Sequence, residues 1–319
     1  MMLLPDHKLS FGCASVAGLF KPVNSQEAHD VLTTAWNAGI RYFDTAPHYG
    51  HGVSERRLGD FLRDKSGWVI STKVGRILTP DLNPPNIANG LHSALPFKQE
   101  FDFSYDGIMR SVDDSFQRLG LNRIDILYVH DIGDPGAGTD TPHHRAQLLD
   151  GGHRALSDLK SQGVISSVGL GVNTVEICEG LLGQMEIDLI LLAGRYTLLE
   201  QTAEVRLFPL LEQHGVKLVI GGVFNSGILA TGPVAGAHYN YAPAPQSILD
   251  RTTQIESVCA RHNVPMAAAA LQYPAQSPHV ASTLIGTSKS SSLLRNVTQF
   301  EMPLPTDLWA DLRRENLIT

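Results

Sequence analysis

No apolar stretch of this sequence approaches the roughly 18 residues that a membrane-spanning helix needs, so a membrane partner is not expected. The opening run MMLLPDHKLS also lacks a basic segment followed by an apolar one, the mark of a secretory signal. Cysteine is scarce: Cys13, Cys178 and Cys259 are odd in number, far apart and without CxxC spacing. They build neither a disulfide framework nor a metal site, and reduced core or loop thiols in a reducing cytoplasm are the expectation. A strong charge of one sign is missing as well. The 25 basic and 32 acidic residues leave a formal charge of -7 with no basic stripe, which argues against a nucleic-acid partner. No Pro/Gly/Ser-rich linker or low-complexity tract divides the chain, so residues 1–319 read as one domain.

What is present is an alternation of short β-rich runs and amphipathic helices, with 43% hydrophobic residues to build a core. Asn24 can cap a first helix, with Glu27 as its reciprocal partner; Ala28, Val31, Leu32, Ala35 and Trp36 follow at helical spacing, and Gly39 stops it. A strand over 40–43 comes next. Further strands are predicted near 9–13, 68–72, 124–129, 164–170, 188–192, 216–220 and 282–285. Helices are predicted over 54–62, 108–119, 148–160, 175–182, 204–213, 248–261 and 291–297, with a last one near 308–315 and a core segment at Met266–Leu271. Strand and helix alternating through roughly 300 residues indicate an α/β fold of the closed (β/α)8, or TIM, barrel type. Two long irregular stretches, about 75–104 and 131–147, follow strands and so fall at the C-terminal face, where they would wall a substrate pocket.

Four polar residues stand at or just beyond the ends of the second, third and fourth strands: Asp44 and Tyr49 in YFDTAPHYG, Lys73 in VISTKVGR and His130 in LYVHD. A barrel brings these ends to one mouth. A phenol with an ordinary pKa near 10 is a poor base at neutral pH, and a neighbouring ammonium group favours its phenolate. An aspartate would hold the lysine, and a histidine would hydrogen-bond the reacting oxygen. Singly, each has a plainer reading as a turn, cap, solvated or packing residue; the constellation is what points to chemistry. The histidines His48, His51, His130, His143 and His144 show no HExxH or HxH spacing, so no metal is expected.

The string GIRYFDTAPHYGHGVSERRLGDFL resembles the aldo-keto reductase signature, and the likeness continues through STKVG, SVDDSFQRLGLNRIDILYVHD and GVISSVGLGVN. The resemblance implies that Tyr49 is the proton donor or acceptor, that Lys73 tunes it, that Asp44 pairs with Lys73 and that His130 positions the substrate oxygen. IGGVFNSGIL and LLAGRYTLLEQ are similar to the branch that holds D-threo-aldose 1-dehydrogenases, L-fucose dehydrogenases and a pyridoxal 4-dehydrogenase. No GxGxxG opens a helix after the first strand, so a Rossmann cradle is not expected.

The resemblance implies another cradle for a nicotinamide cofactor. It comprises Gly12 and Cys13 at the first strand end, Asn173 after the fifth, and Phe224, Asn225, Ser226 and Gly227 after the seventh. After the eighth come Gly286, Thr287, Ser288, Ser292 and Asn296, beside a helix N-terminus near Ser290. Gly286 and Ser292 stand where family members that prefer NADP carry cations, so NAD is expected, with Lys289 keeping NADP as the alternative. Arg295 replaces an acidic residue near adenine. Gly221 replaces the aromatic that stacks on nicotinamide, leaving Tyr196 or Phe224 as candidates to substitute.

The implied activity is oxidation of the anomeric hydroxyl of a small aldose, of L-fucose, L-galactose or D-arabinose type, to a lactone. A pyridoxal dehydrogenase and an NADPH-dependent carbonyl reductase are the rivals on the same fold. A nicotinamide-binding regulatory subunit is the rival from another class, and the intact four residues speak for an enzyme. The expected partner is a small molecule, and the expected state a monomer or small homo-oligomer.

Overall fold

The computed structural model describes residues 4–87, 90–92, 94–240 and 242–319. Eight strands form its centre: β1 (Leu9–Gly12), β2 (Tyr42–Asp44), β3 (Val69–Val74), β4 (Ile126–His130), β5 (Ser167–Val172), β6 (Leu189–Ala193), β7 (Lys217–Gly221) and β8 (Val280–Ile285). Each pairs in parallel with the next, and β8 returns to β1, closing the (β/α)8 barrel. Because side chains alternate along a strand, one set fills the barrel and the other meets the helices. Tyr42, Ile126, Tyr128, Leu191, Val219 and Leu284 pack inside. Phe43, Ile70, Val129, Leu170 and Ile220 face the helical layer in the larger core.

Local signals explain the helix ends. Asn24 and Glu27 exchange both capping bonds at the start of Ser25–Asn37. Ser104 caps Tyr105–Leu119, and Gly120 ends that helix in the left-handed region at φ 61°. Met266–Gln272 is a buried helix, as its alanine-rich sequence suggests.

The structure departs from the sequence reading in three places. The stretch 75–104 is not irregular throughout: Arg76–Pro80 and Phe97–Phe101 pair as an antiparallel hairpin. Residues 88, 89 and 93 of that stretch lie outside the described residues. The stretch 131–147 ends in helix, because Thr141 caps His144 and Pro142 takes the first helical turn. That helix runs on through a π turn at Leu148–Gly152 into His153–Ser161. The π turn coincides with a close approach, since a Cβ on Gly152 would lie 2.1 Å from the Phe103 carbonyl oxygen. Finally, the helix predicted over 204–213 is broken at Leu207 into Thr202–Arg206 and Phe208–His214, with Pro209 opening the second piece.

Helix Val53–Leu62 crosses the end of Tyr105–Leu119 at Gly59, where an added Cβ would fall 1.7 Å from the Leu119 carbonyl oxygen. Gly59→Ala must force the helices apart, and a loss of about 1–3 kcal/mol is expected. A urea denaturation midpoint equal to that of the parent protein would contradict this contact.

Candidate active site

The alternation that fills the barrel also builds its mouth. Asp44, Lys73 and His130 share the inward-facing phase of β2, β3 and β4, one layer above Tyr42, Ser71 and Tyr128. Register pairs Asp44 with Ser71, Lys73 with Tyr128 and His130 with Gly171. Tyr49 comes from the turn after β2. Gly50, His51 and Gly52 follow it with φ of 64°, 49° and 96°, and a Cβ on Gly50 would lie 2.9 Å from the Cβ atoms of Ala17 and Val53. Only a glycine fits that bend, which turns the chain back towards the barrel.

Lys73 Nζ donates to Asp44 Oδ1 at 2.8 Å, to Asp44 Oδ2 at 2.7 Å and to the Thr45 carbonyl at 2.8 Å. The pair is sealed, with Lys73 2% and Asp44 1% exposed. Ser71 Oγ donates to Asp44 Oδ1 at 2.6 Å and receives Tyr42 Oη at 3.1 Å; the Tyr42 and Tyr128 hydroxyls lie 2.9 Å apart. Burial pushes the Asp44 carboxyl up, while the Lys73 ammonium and the Ser71 hydroxyl pull it back. Gly171 leaves the lane that the lysine crosses, because a Cβ there would stand 3.3 Å from Lys73 Cε.

The ammonium is 5.0 Å from the Tyr49 ring centre, and the Tyr49 and His130 rings meet edge to face at 6.1 Å. Burial holds the His130 imidazole well below its ordinary pKa, and the cations of Arg76 and Lys73 add to this. His130 is therefore neutral at pH 7, and its Nδ1 has no hydrogen-bond partner among the described residues. The result is a phenol beside a fixed cation and an uncharged imidazole. Such a set can exchange a proton with one oxygen and hydrogen-bond it at the same time.

The surrounding frame is polar and cross-linked by hydrogen bonds. Buried Glu55 accepts from Thr72 Oγ1 at 2.8 Å and from Arg118 Nε at 2.5 Å, tying β3 to two helices. Thr45 Oγ1 donates to Ser54 Oγ and Ser54 Oγ to the Cys13 carbonyl, each at 2.8 Å.

Two cavities meet at the mouth. One of about 350 Å³ is lined by Tyr49, Lys73, His130 and Asn173. Asn173 Nδ2 donates to Asp134 Oδ2 at 3.0 Å and lies 3.4 Å from Asp131 Oδ1. A groove of about 620 Å³ runs along Phe224, Asn225, Ser226, Gly227 and Gly286. Its floor suits a ligand that comes close to the backbone: Asn225, Ser226 and Gly227 have φ of 44°, 60° and 100°, and a Cβ on Gly227 would meet nothing within 4 Å. The Asn225 side chain is spent inside the fold, receiving Thr197 Oγ1 at 2.5 Å and donating to the Gly194 carbonyl at 3.4 Å.

Gly12 abuts Gly286, whose added Cβ would lie 3.0 Å from the Gly12 carbonyl oxygen. Cys13 is fully buried and its side chain lines neither cavity. Thr287 and Ser288 lead from Gly286 into helix Ser290–Glu301, which starts without a side-chain cap and so leaves first-turn N–H groups for an anion. Ser292 receives Arg295 Nη2 at 3.4 Å, and Asn296 is half-buried one turn on.

Of the two aromatics considered in place of the residue absent at Gly221, Tyr196 is shut in a cluster, 4.9 Å from Phe208 and 5.1 Å from Tyr273. Phe224 lines the groove. Sequence reasoning passed over Phe20, which is 70% exposed at φ 66° and lines both cavities. It also passed over Arg76, Gln99 and Asp131. Asp131 directly follows His130, and Arg76 comes three residues after Lys73; that proximity was the available signal. Of the histidines, His48 joins His130 at the mouth, whereas His144 packs on Phe101 and Phe103.

Removing one charge of the Lys73–Asp44 pair strands the other in the interior. Lys73→Met and Asp44→Asn should each lose about 3–5 kcal/mol of stability, and the double variant should lose less than their sum. Urea unfolding of the three variants checks this, and strictly additive losses would refute the coupling.

The aldo/keto reductase family profile matches residues 8–316. The chain is 45% identical to the pyridoxal 4-dehydrogenase of Microbacterium luteolum, over 98% of this chain and 94% of that one. It is 39% identical to the D-threo-aldose 1-dehydrogenase of a Pseudomonas species, over 97% and 94% respectively. The holo form of aldo-keto reductase AKR11C1 from Bacillus halodurans superposes with a TM-score of 0.74 at 25% identity, covering 98% of this chain and 92% of the other. A closed barrel and these matches along nearly its whole length make the protein an oxidoreductase of the aldo/keto reductase family.

Proposed function

We propose that the protein oxidises the hemiacetal carbinol of a small cyclic aldose, of L-fucose, L-galactose or D-arabinose type, to a lactone, with NAD as acceptor. The observation that carries this reading is the convergence of Tyr49, Lys73 and His130 on one cavity, with Asp44 bonded to Lys73 behind it. Tyr49, favoured as phenolate by the Lys73 ammonium, takes the hydroxyl proton. His130, neutral, orients the same oxygen. Asp44 keeps Lys73 charged and fixed. A bound nicotinamide supplies the hydride acceptor.

Chemistry narrows the substrate. An aldehyde loses hydride only after a nucleophile, water or an internal hydroxyl has added to it. Cys13 is not that nucleophile, since burial raises its thiol well above the ordinary value and closes it from the cavity. A hydroxyl that closes a ring on the aldehyde gives a carbinol ready for oxidation. Aldoses do this, and so does pyridoxal, whose hydroxymethyl group neighbours its aldehyde. Pyridoxal is thus the second reading, favoured by the similarity to the pyridoxal 4-dehydrogenase.

In this reading a dinucleotide lies along the groove, with Phe224 to Gly227 at the pyrophosphate, and reaches past Gly286 to the start of helix Ser290–Glu301 and Asn296 for the adenosine. Uncharged Gly286 and Ser292 support NAD over NADP, because a ribose phosphate needs cationic partners; Lys289 and Arg295, whose Nη2 lies 3.4 Å from Ser292 Oγ, keep NADP as the alternative.

Reduction of NAD and of NADP should be followed by nicotinamide absorbance with L-fucose, L-galactose, D-arabinose and pyridoxal. Turnover of an aldose with NAD, giving lactone, is expected; activity only with NADP, or with no cyclic hemiacetal, would overturn the reading. Tyr49→Phe should lower kcat by about 10²–10⁴-fold while NAD binding, read by calorimetry, is kept. Unchanged turnover would remove Tyr49 from the chemistry.

A further inference from the structure

Beside the catalytic cavity lies a second chamber of about 790 Å³ that shares His48 and Asp131 with it. Its wall is built by the hairpin after β3 and the loop after β4. At their junction Arg76, 7% exposed, is held from three sides. Its Nη2 donates to Asp131 Oδ2, its Nη1 to Gln99 Oε1 at 3.0 Å, and its guanidinium lies 4.5 Å over the Phe101 ring. Gln99 Oε1 is also 2.9 Å from His48 Nδ1. The His48 imidazole, pushed down to about 4 by burial and then by Arg76, is neutral and donates to that oxygen.

The charge of the chamber selects its occupant. Asp81, Asp131 and Asp134 face it against Arg76 and Lys98. Both cations already have carboxylate partners, Arg76 in Asp131 and Lys98 in Glu100 at 2.9 Å. An anionic group entering here meets three carboxylates and, among the described residues, no unpaired cation. A flat apolar ring leaves buried donors and acceptors unsatisfied. A hydroxyl group, donor and acceptor at once, matches the carboxylate, guanidinium and amide groups that line the chamber beside Ile87, Phe97 and Phe101.

Resting on the reading of the catalytic cavity given above, we propose that this chamber holds the hydroxyl-bearing remainder of an uncharged cyclic polyol, and that Arg76, with Asp131 and Gln99, determines specificity by hydrogen-bonding those hydroxyls. Arg76 stands on the same strand exit as Lys73, three residues on, so the reacting carbinol and the distal hydroxyls are read by one continuous stretch of chain. Selection of this kind has leverage: a site built to bond a hydroxyl rejects the analogue that lacks it far more strongly than an apolar pocket discriminates by size.

Two measurements test this on the full-length protein. In the first, the NAD complex of the parent, of Arg76→Met and of Gln99→Leu is titrated calorimetrically with an anhydroalditol, a sugar ring without the anomeric hydroxyl. Binding to the parent, weakened at least about tenfold in Arg76→Met and less in Gln99→Leu, is expected. No binding to the parent, or equal binding to Arg76→Met, overturns the assignment whether or not any aldose is turned over.

In the second, kcat and KM are measured for an aldose, its analogue lacking one distal hydroxyl, and its phosphate ester. The parent should prefer the hydroxylated sugar about tenfold or more over both. Arg76→Met should erase that preference by raising KM for the hydroxylated sugar alone. A uniform fall in kcat on every substrate would mean that Arg76 only props Asp131 and His130, and would overturn the proposal. If the anhydroalditol binds as expected but no aldose is oxidised, the fault lies in the catalytic reading and not in the chamber.

Discussion

A sealed ion pair sets the terms for the rest of this structure. Removing a lysine and an aspartate from water costs several kcal/mol per charge, and their attraction offsets this only when every remaining donor and lone pair is met. The barrel meets them. Thr45 supplies a carbonyl to Lys73, Ser71 supplies a hydroxyl to Asp44, and Tyr42 and Tyr128 complete the layer beneath. None of these groups is close to Lys73 in the chain except Ser71; the closed sheet brings them together through the registers of β2, β3 and β4. A slip of one residue in any of these strands would turn its polar residue out towards the helices.

The same rule of paired charge extends outward from the mouth. Lys73 has Asp44, Arg76 has Asp131, and Arg118 has Glu55, each bridging elements distant in sequence. The cations are neutralised as charges but still act on their neighbours. Arg76 and Lys73 beside His130 and His48 reinforce burial and keep both imidazoles uncharged. The mouth therefore offers neutral imidazoles and one lysine-flanked phenol, and its two buried cations, Lys73 and Arg76, are each paired with a carboxylate.

The sequence was legible where local chemistry and strand period agreed. Asn24 and Glu27 mark a helix start that the fold keeps, and the strand ends at Asp44, Lys73 and His130 announce the barrel mouth because their phase is fixed by alternation. It was silent where tertiary contacts decide. The hairpin strands RILTP and FKQEF are separated by 16 residues and carry no turn signal between them that fixes their register. The π turn at Leu148–Gly152 answers to the Phe103 carbonyl, which nothing in the local sequence discloses. Arg76 reads as a solvated arginine after a strand until the hairpin folds over it and Asp131 meets it from another loop. Phe20 is legible as an aromatic but not as one held in the left-handed region between two cavities.

Barrel enzymes divide labour between strands that fix chemistry and loops that choose substrates. Here Lys73 on the strand and Arg76 in the loop are separated by a single hinge of chain. Lys73 ends the inward phase of β3, Val74 turns outward, and Gly75 then bends the backbone at φ 96° into the hairpin that begins with Arg76. No other residue fits at Gly75, since a Cβ would lie 2.2 Å from the Phe103 ring. Phe103 in turn stacks on Phe101, the ring under the Arg76 guanidinium. The position of Arg76 is thus referred to Lys73 by three residues of backbone and one aromatic stack. A barrel-mouth loop can vary in length and sequence, but as long as this glycine and these rings persist, the outer chamber stays registered to Lys73 and the cavity it lines.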